Sequence, residues 1–127
     1  MEGGMLGQYS TPRAVIELVV HLAERVPVSR LLDPACGTGD LLLSVAQTHG
    51  DVEIVGVDIN EEVLTGVRTM ADRRIAGVQF LRDDFLQCDT GALGKFDLVV
   101  CNPPFGMRVN MVICRYQSDH WRNGVRC

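Results

Sequence analysis

Cysteine pairs at metal-ligand spacing, long hydrophobic runs and an excess of positive charge are all missing from this 127-residue chain. Its cysteines are Cys36, Cys88, Cys101, Cys114 and Cys127, an odd number with no Cys-x-x-Cys pair. Neither a disulfide framework nor a zinc site is indicated, and small reduced thiols are the simpler expectation. His21, His49 and His120 form no constellation, so no metal is expected, and His21 falls on the outer side of a helix. No apolar run approaches the ~20 residues of a membrane span, and Met1-Glu2-Gly3-Gly4 is neither a basic nor an apolar leader. A soluble, cytoplasmic protein without membrane association is expected. A formal net charge of -4 lays down no overall basic footprint. Internal repeats and low-complexity segments are also absent.

What is present is a compact amount of apolar sequence in a regular order. A hydrophobic fraction of 46% suits one globular domain with a buried sheet and argues against disorder. Residues 1–9 are Gly-rich and read as a lead-in. Ser10-Thr11-Pro12 predicts a helix start with a hydroxyl cap and a proline in the first turn. Val15, Leu18, Val19, Leu22, Ala23 and Val26 then recur at helical spacing until Pro27. Strands are predicted over 29–33, 52–59, 78–81 and 96–101, and helices over 40–49 and 61–73, the latter capped by Asn60. Strand–helix alternation with short connections predicts an α/β, doubly wound parallel sheet.

Chemistry-bearing residues fall at the ends of these strands. Asp33-Pro34-Ala35-Cys36-Gly37-Thr38-Gly39 follows the first strand, and Asp58 ends the second. Glycines there admit a ligand close to backbone and to a helix N-terminus, and an acid about twenty residues on suits ribose hydroxyls. Position 42 is Leu, so the dinucleotide fingerprint fails, and no Lys-Ser/Thr of a phosphate loop follows. A pyrophosphate is not implied; Asp33 favours a ligand with a cationic or amine end. The plainer alternative is a tight turn with Asp58 as a strand-end cap. Arg82-Asp83-Asp84-Phe85-Leu86 follows the third strand, where an acid can accept from an adenine amino group and Phe85 can pack on its ring. Cys36 and Cys101 flank this edge and read as buried thiols.

Asn102-Pro103-Pro104-Phe105 follows the fourth strand. The Asn102 side-chain oxygen and the Pro103 carbonyl can accept hydrogens from an amino group and localise its lone pair. Two prolines of fixed φ hold those acceptors before reaction, and Phe105 can stack on a planar ring. Alone, such a segment also fits an ordinary strand-end turn.

Together these motifs resemble the N-terminal part of S-adenosylmethionine-dependent N6-adenine DNA methyltransferases. The closest subclass includes type I restriction modification subunits and fused restriction–methylation enzymes. Gly7-Gln8-Tyr9-Ser10-Thr11-Pro12 resembles the motif that touches the cofactor's methionine part; 33–39 resembles its Gly-rich motif; Asp84-Phe85-Leu86 resembles its adenine-binding acid motif. The resemblance covers residues 7–106 in the expected order. It implies cofactor contacts from Tyr9, Ser10, Thr11, Pro12, Asp33, Ala35, Gly37, Gly39, Asp58, Ile59, Asp84 and Phe85, and catalysis by Asn102, Pro103, Pro104 and Phe105. The implied partner is DNA with an adenine flipped from the duplex, together with a specificity subunit or a second chain completing the sheet.

The resemblance implies seven strands, of which this sequence supplies about four. Residues 1–106 hold 8 of the 12 basic and 15 of the 16 acidic residues, a balance of -7; residues 107–127 hold the rest, a balance of +3. That break marks 1–106 as the cofactor-binding core and 107–127 as an atypical tail. Residues 109–116 can form one more strand. Two accounts fit: a short protein that pairs with another chain, or a truncated or frame-shifted product; either way, weak or no methylation by this chain alone is expected. Rival functions are methylation of guanine N2 in RNA or of a glutamine amide in protein, and a non-catalytic cofactor-binding or assembly module. The stretch at residues 7–12 argues against the first two.

Overall fold

A computed structural model of the chain describes residues 10–71 and 77–102. The elements run α1 (Arg13–Ala23), β1 (Arg30–Asp33), α2 (Asp40–Gln47), β2 (Glu53–Asp58), α3 (Glu61–Ala71), β3 (Val78–Arg82), α4 (Thr90–Leu93) and β4 (Leu98–Val99). Tyr9, Pro103, Pro104, Phe105 and the tail from 107 to 127 lie outside the described residues.

The strands form one sheet in the order β3-β2-β1-β4, every pair parallel. Leu31 pairs with both Ile54 and Leu98, and Gly56 pairs with Phe80. Period-two alternation divides the apolar side chains between two faces. Leu31, Ile54, Phe80 and Val100 pack with Leu42, Val45, Leu64 and Val67 from α2 and α3. Leu32, Val55 and Val57 occupy the other face with Leu81, Phe85, Leu93 and Phe96. Leu31, Leu42, Ile54 and Leu64 are wholly buried, so each contributes roughly 1.5–3 kcal/mol of transfer free energy. Gly56 allows this packing, because a Cβ there would lie 2.7 Å from Phe80 Cδ1 and 3.0 Å from Cys36 Sγ.

Helix α1 departs from expectation in two ways. Its N-cap is Pro12, with no side-chain cap bond; the Pro12 carbonyl takes the Val15 and Ile16 N–H groups, both at 3.0 Å. The predicted hydroxyl cap is absent because the N-cap position falls on Pro12, which has no hydroxyl; Thr11, one residue earlier, accepts from Asn102 instead. The apolar stripe is also rotated. Ile16, Val19, Val20 and Ala23 meet the core, while Val15, Leu18, Leu22 and Val26 are exposed. The helix is apolar over a wider arc than its core-facing side covers, and periodicity cannot say which part of the arc is buried.

Asn60 does cap α3, its Oδ1 accepting from Glu62 N at 3.0 Å and Val63 N at 3.4 Å. His21 is exposed as expected. His49 instead joins two helix ends: Nδ1 lies 3.0 Å from the Val45 carbonyl and Nε2 3.0 Å from that of Ala23. Strand β4 is shorter than the predicted 96–101, although Asp97 N and Val100 N still bond to the Arg30 and Leu32 carbonyls at 2.9 Å.

At the amino ends of the strands, Arg30 gathers the entry to β4. Its Nη1 donates to Lys95 O at 2.7 Å and its Nη2 to Leu93 O at 3.0 Å. It also pairs with Glu53 at 3.3 Å and lies over the Phe96 ring at 4.5 Å. Asp97 accepts from the Ser29 and Arg30 N–H groups, and those two bonds hold its carboxyl below the usual range.

Candidate functional site at the carboxyl edge

The order β3-β2-β1-β4 brings four strand ends side by side: Asp84 after β3, Asp58 on β2, Asp33 on β1 and Asn102 after β4. Open α/β sheets bind ligands along this edge. Parallel pairing is what collects there groups that are far apart in sequence.

Asp33 is 2% exposed, and its Oδ1 accepts from Ala35 N–H at 3.0 Å. Burial pushes its carboxyl up to about 7, against the pull of the Ala35 N–H, and the nearby Asp58 adds to the rise. Such a group is poised to gain from a cation brought beside it. The turn that follows is set by two left-handed glycines, Gly37 at φ 53° and Gly39 at φ 80°. Their surroundings differ. A Cβ on Gly39 would collide with Val67 Cγ2, whereas one on Gly37 meets nothing within 4 Å. Gly39 serves close packing of α3 against the turn, and Gly37 borders open space.

Asp58 ties the turn to the next helix. Its Oδ2 accepts from Gly37 N–H at 2.8 Å and its Oδ1 from Asn60 N–H at 2.9 Å. The strand-end cap leaves each Asp58 carboxylate oxygen a further lone-pair site. The Asp58 carbonyl accepts from Asp83 N–H at 3.1 Å, which brings the β3 loop alongside. There Asp84 Oδ1 accepts from Leu86 N–H at 3.0 Å, and Phe85 packs on the sheet face of Leu32, Val55 and Val57. Ile59 is 67% exposed, a large apolar side chain left at the edge.

Asn102 is half-buried, and its Nδ2 donates to Thr11 Oγ1 at 3.2 Å. Ser10 and Pro12 are exposed on the same segment. Cys36 is a buried residue and Cys101 an exposed one whose thiol is nonetheless shielded from water, so the predicted burial holds for Cys36 as a whole and for Cys101 only at its thiol. Burial, with Asp33 and Asp58 nearby, raises the Cys36 thiol; loss of water and then Asp33 push Cys101 up to about 12. Both thiols are therefore neutral near pH 7 and poor nucleophiles. No group of three metal-ligating side chains occurs among the described residues. The Thr11–Asn102 contact spans 91 positions and had no signal in the sequence. The Asp58–Gly37 bond had only the strand-end position of the acid.

The family model for N-6 DNA methylases matches residues 1–125. The chain belongs to the N-6 DNA methylase family. Among its relatives is the MjaIX methylase subunit of a type I restriction enzyme from Methanocaldococcus jannaschii, 33% identical over 115 residues. The match covers 83% of this chain and 20% of that protein. The release factor glutamine methyltransferase of Haemophilus influenzae is 36% identical over 92 residues, covering 66% of this chain and 30% of the relative. The chain thus spans about a fifth to a third of the length of these curated relatives. An RNA methyltransferase from Salinibacter ruber, solved with S-adenosyl-L-homocysteine, has a TM-score of 0.57 at 24% identity. It covers 73% of this chain and 60% of that one, and shows the shared fold. The methylase family member described here is thus an α/β parallel sheet of the methyltransferase type, with four strands among its described residues. No helix among them is long and apolar enough to cross a membrane.

Proposed function

We propose that this chain forms the cofactor-binding part of an adenine-N6 DNA methyltransferase of the restriction–modification kind, with S-adenosylmethionine bound along the carboxyl edge. The observation that carries the reading is the adjacency of Asp33, Gly37 and Asp58 with Asn102 on neighbouring strand ends. The donor set fits the cofactor. Open space borders Gly37, and the buried carboxyl of Asp33, at the end of the strand before that turn, would answer a cationic amine. Asp58 has lone pairs for ribose hydroxyls, and Ile59 offers an apolar surface for a flat base beside Asp84 and Phe85. Tyr9, Ser10, Thr11, Pro12, Ala35 and Gly39 complete the proposed contacts.

S-adenosylmethionine supplies a methyl group already activated on a sulfonium, so no side chain need act as a nucleophile. The chain's task is to hold and electronically prepare an amino group. Asn102 Oδ1 and the Pro103 carbonyl would accept the amino hydrogens and localise the lone pair, so that the nitrogen could take the methyl group while the C–S electron pair stays with the departing thioether and the displaced amino proton passes to solvent. Pro104 stiffens that segment, and Phe105 stacks on a base drawn out of the duplex. Placement in line supplies much of the rate. DNA is the proposed partner, together with a specificity subunit or a second chain completing the sheet. Weak or no methylation by this chain alone is expected.

A second reading is favoured by the glutamine methyltransferase relative: an amide of the same planar, delocalised kind is the acceptor. Tritiated S-adenosylmethionine offered with adenine-containing DNA and, separately, with a release-factor glutamine peptide tests both. Label in 6-methyladenine, however slow, supports the lead reading. Label confined to the peptide replaces it with the second. Robust sequence-specific methylation by the chain alone would overturn the expectation of weak activity.

A further inference from the structure

We propose that Thr11 is a positioning residue for Asn102, holding its amide so that Oδ1, and not Nδ2, faces the methyl acceptor. The inference rests on the amino-group reading of Asn102 and adds a residue whose work is to orient it. An Asn amide is nearly symmetric in shape, and a half-turn exchanges donor for acceptor. Only one of the two states can receive a hydrogen from an amino group. An amide presenting Nδ2 would meet that group with like polarity.

In the observed orientation Thr11 acts as the acceptor; because a hydroxyl can also donate, the contact anchors the amide, and the cross-relaxation measurement reads which of its edges Thr11 holds. Asn102 Nδ2 donates to Thr11 Oγ1 at 3.2 Å, which leaves Oδ1 on the opposite side of the amide. Thr11 is available because it does not cap α1, where the Pro12 carbonyl takes the first N–H groups instead. Its backbone is preset by the following proline, which disfavours helical geometry at the preceding residue. It also rides on a braced element. Ile16, Val19, Val20 and Ala23 seat α1 in the core, and His49 fastens its far end through the Ala23 carbonyl at 3.0 Å. The hydroxyl is thus held from a packed helix rather than from a free loop. Asn102 lies beyond the end of the short strand β4, Leu98–Val99, where a side-chain tether matters most.

The test is nuclear magnetic resonance on the full 15N-labelled chain, wild type beside Thr11→Ser and Thr11→Val, with the Asn102 side-chain signals assigned by their loss in Asn102→Asp. In wild type, the amide protons of Asn102 should show cross-relaxation to the Thr11 methyl group. One of them should exchange with water about tenfold more slowly than in T11V, the protection one hydrogen bond of ordinary strength supports. T11S keeps the hydroxyl and should restore that protection, which a purely steric role would not predict. Equal exchange in wild type and T11V overturns the proposal. So does cross-relaxation that places Oδ1 against Thr11. Should T11V fail to fold, the wild-type spectrum alone decides, since absence of the Thr11–Asn102 cross-peak is sufficient to refute the contact. These signals are read without cofactor or DNA, so they stand or fall separately from the methyl-transfer reading, which the tritium assay decides.

Discussion

Replacing Asp33 by Asn should make the protein more stable in alkaline solution and leave the gain much smaller in acid. The cause is the buried carboxyl, raised from 3.8 to about 7 chiefly by burial and further by Asp58. Between those values the folded chain holds a proton that the unfolded chain has lost. The unfolded state therefore binds fewer protons, and stability falls as pH rises through that window before levelling above about 7. Stability from the neutral carboxyl is fully present below pH 3.8 and is gone once the folded group ionises. A difference of about three pH units at 1.36 kcal/mol each sets a ceiling near 4 kcal/mol, with about 3 kcal/mol of it between pH 5 and 8. Asn keeps the acceptor for Ala35 N–H and removes only the charge. Urea unfolding of wild type and D33N at pH 5 and pH 8 measures the gap directly, and comparing the two chains cancels the other carboxylates. D33N should gain at least 1 kcal/mol on wild type between the two pH values. A gap that does not change with pH would refute the buried, raised carboxyl and the argument for a cationic ligand built on it.

Other outcomes follow from the same geometry. A cation bound beside Asp33 favours its ionised form, so S-adenosylmethionine affinity should rise as pH increases toward and past 7 in calorimetry, and D33N should flatten that dependence. Gly37→Ala should cost only about 1 kcal/mol of stability, for its left-handed backbone, yet weaken cofactor binding about tenfold or more by filling open space. Gly39→Ala should instead lower the melting temperature strongly, with a cost of about 2–4 kcal/mol from the collision with Val67 and the left-handed φ together. Arg30→Ala should cost about 2 kcal/mol in urea unfolding, since it removes two carbonyl bonds and a ring contact from a partly exposed site; a loss below 0.5 kcal/mol would show that the β4 entry does not depend on it.

Much of the carboxyl edge was legible because parallel strands are buried on both faces and read as short apolar runs with a polar residue at the end. Leu31-Leu32-Asp33 and Ile54-Val55-Gly56-Val57-Asp58 are of this kind, and both acids stand where their strands stop. Asn60 was legible for a local reason, as a capping side chain acts within three residues of its own position. Three-dimensional choices were not. Val15, Leu18 and Leu22 have the spacing of core residues, but the core accepts the neighbouring stripe of α1. Helix α4 is a single turn made by Asp89 capping Gly91 and Ala92, too short to leave a period. Thr11 was legible as part of a motif, yet its partner is 91 residues away, and no local pattern encodes a bond of that span. The β-strand bounds shifted by a residue or more wherever pairing, not hydropathy, ends the ladder, as at β4.

The central claim is that the carboxyl edge is a S-adenosylmethionine site, and titration of that cofactor into the 15N-labelled chain tests it most directly. Saturable shifts should appear at the backbone signals of Gly37, Asp58, Ile59 and Asp84 and at the Asn102 side chain, while Arg30 and Glu53 at the opposite ends of the strands stay still. No saturable shift, or shifts gathered at the amino ends of the strands, would contradict it.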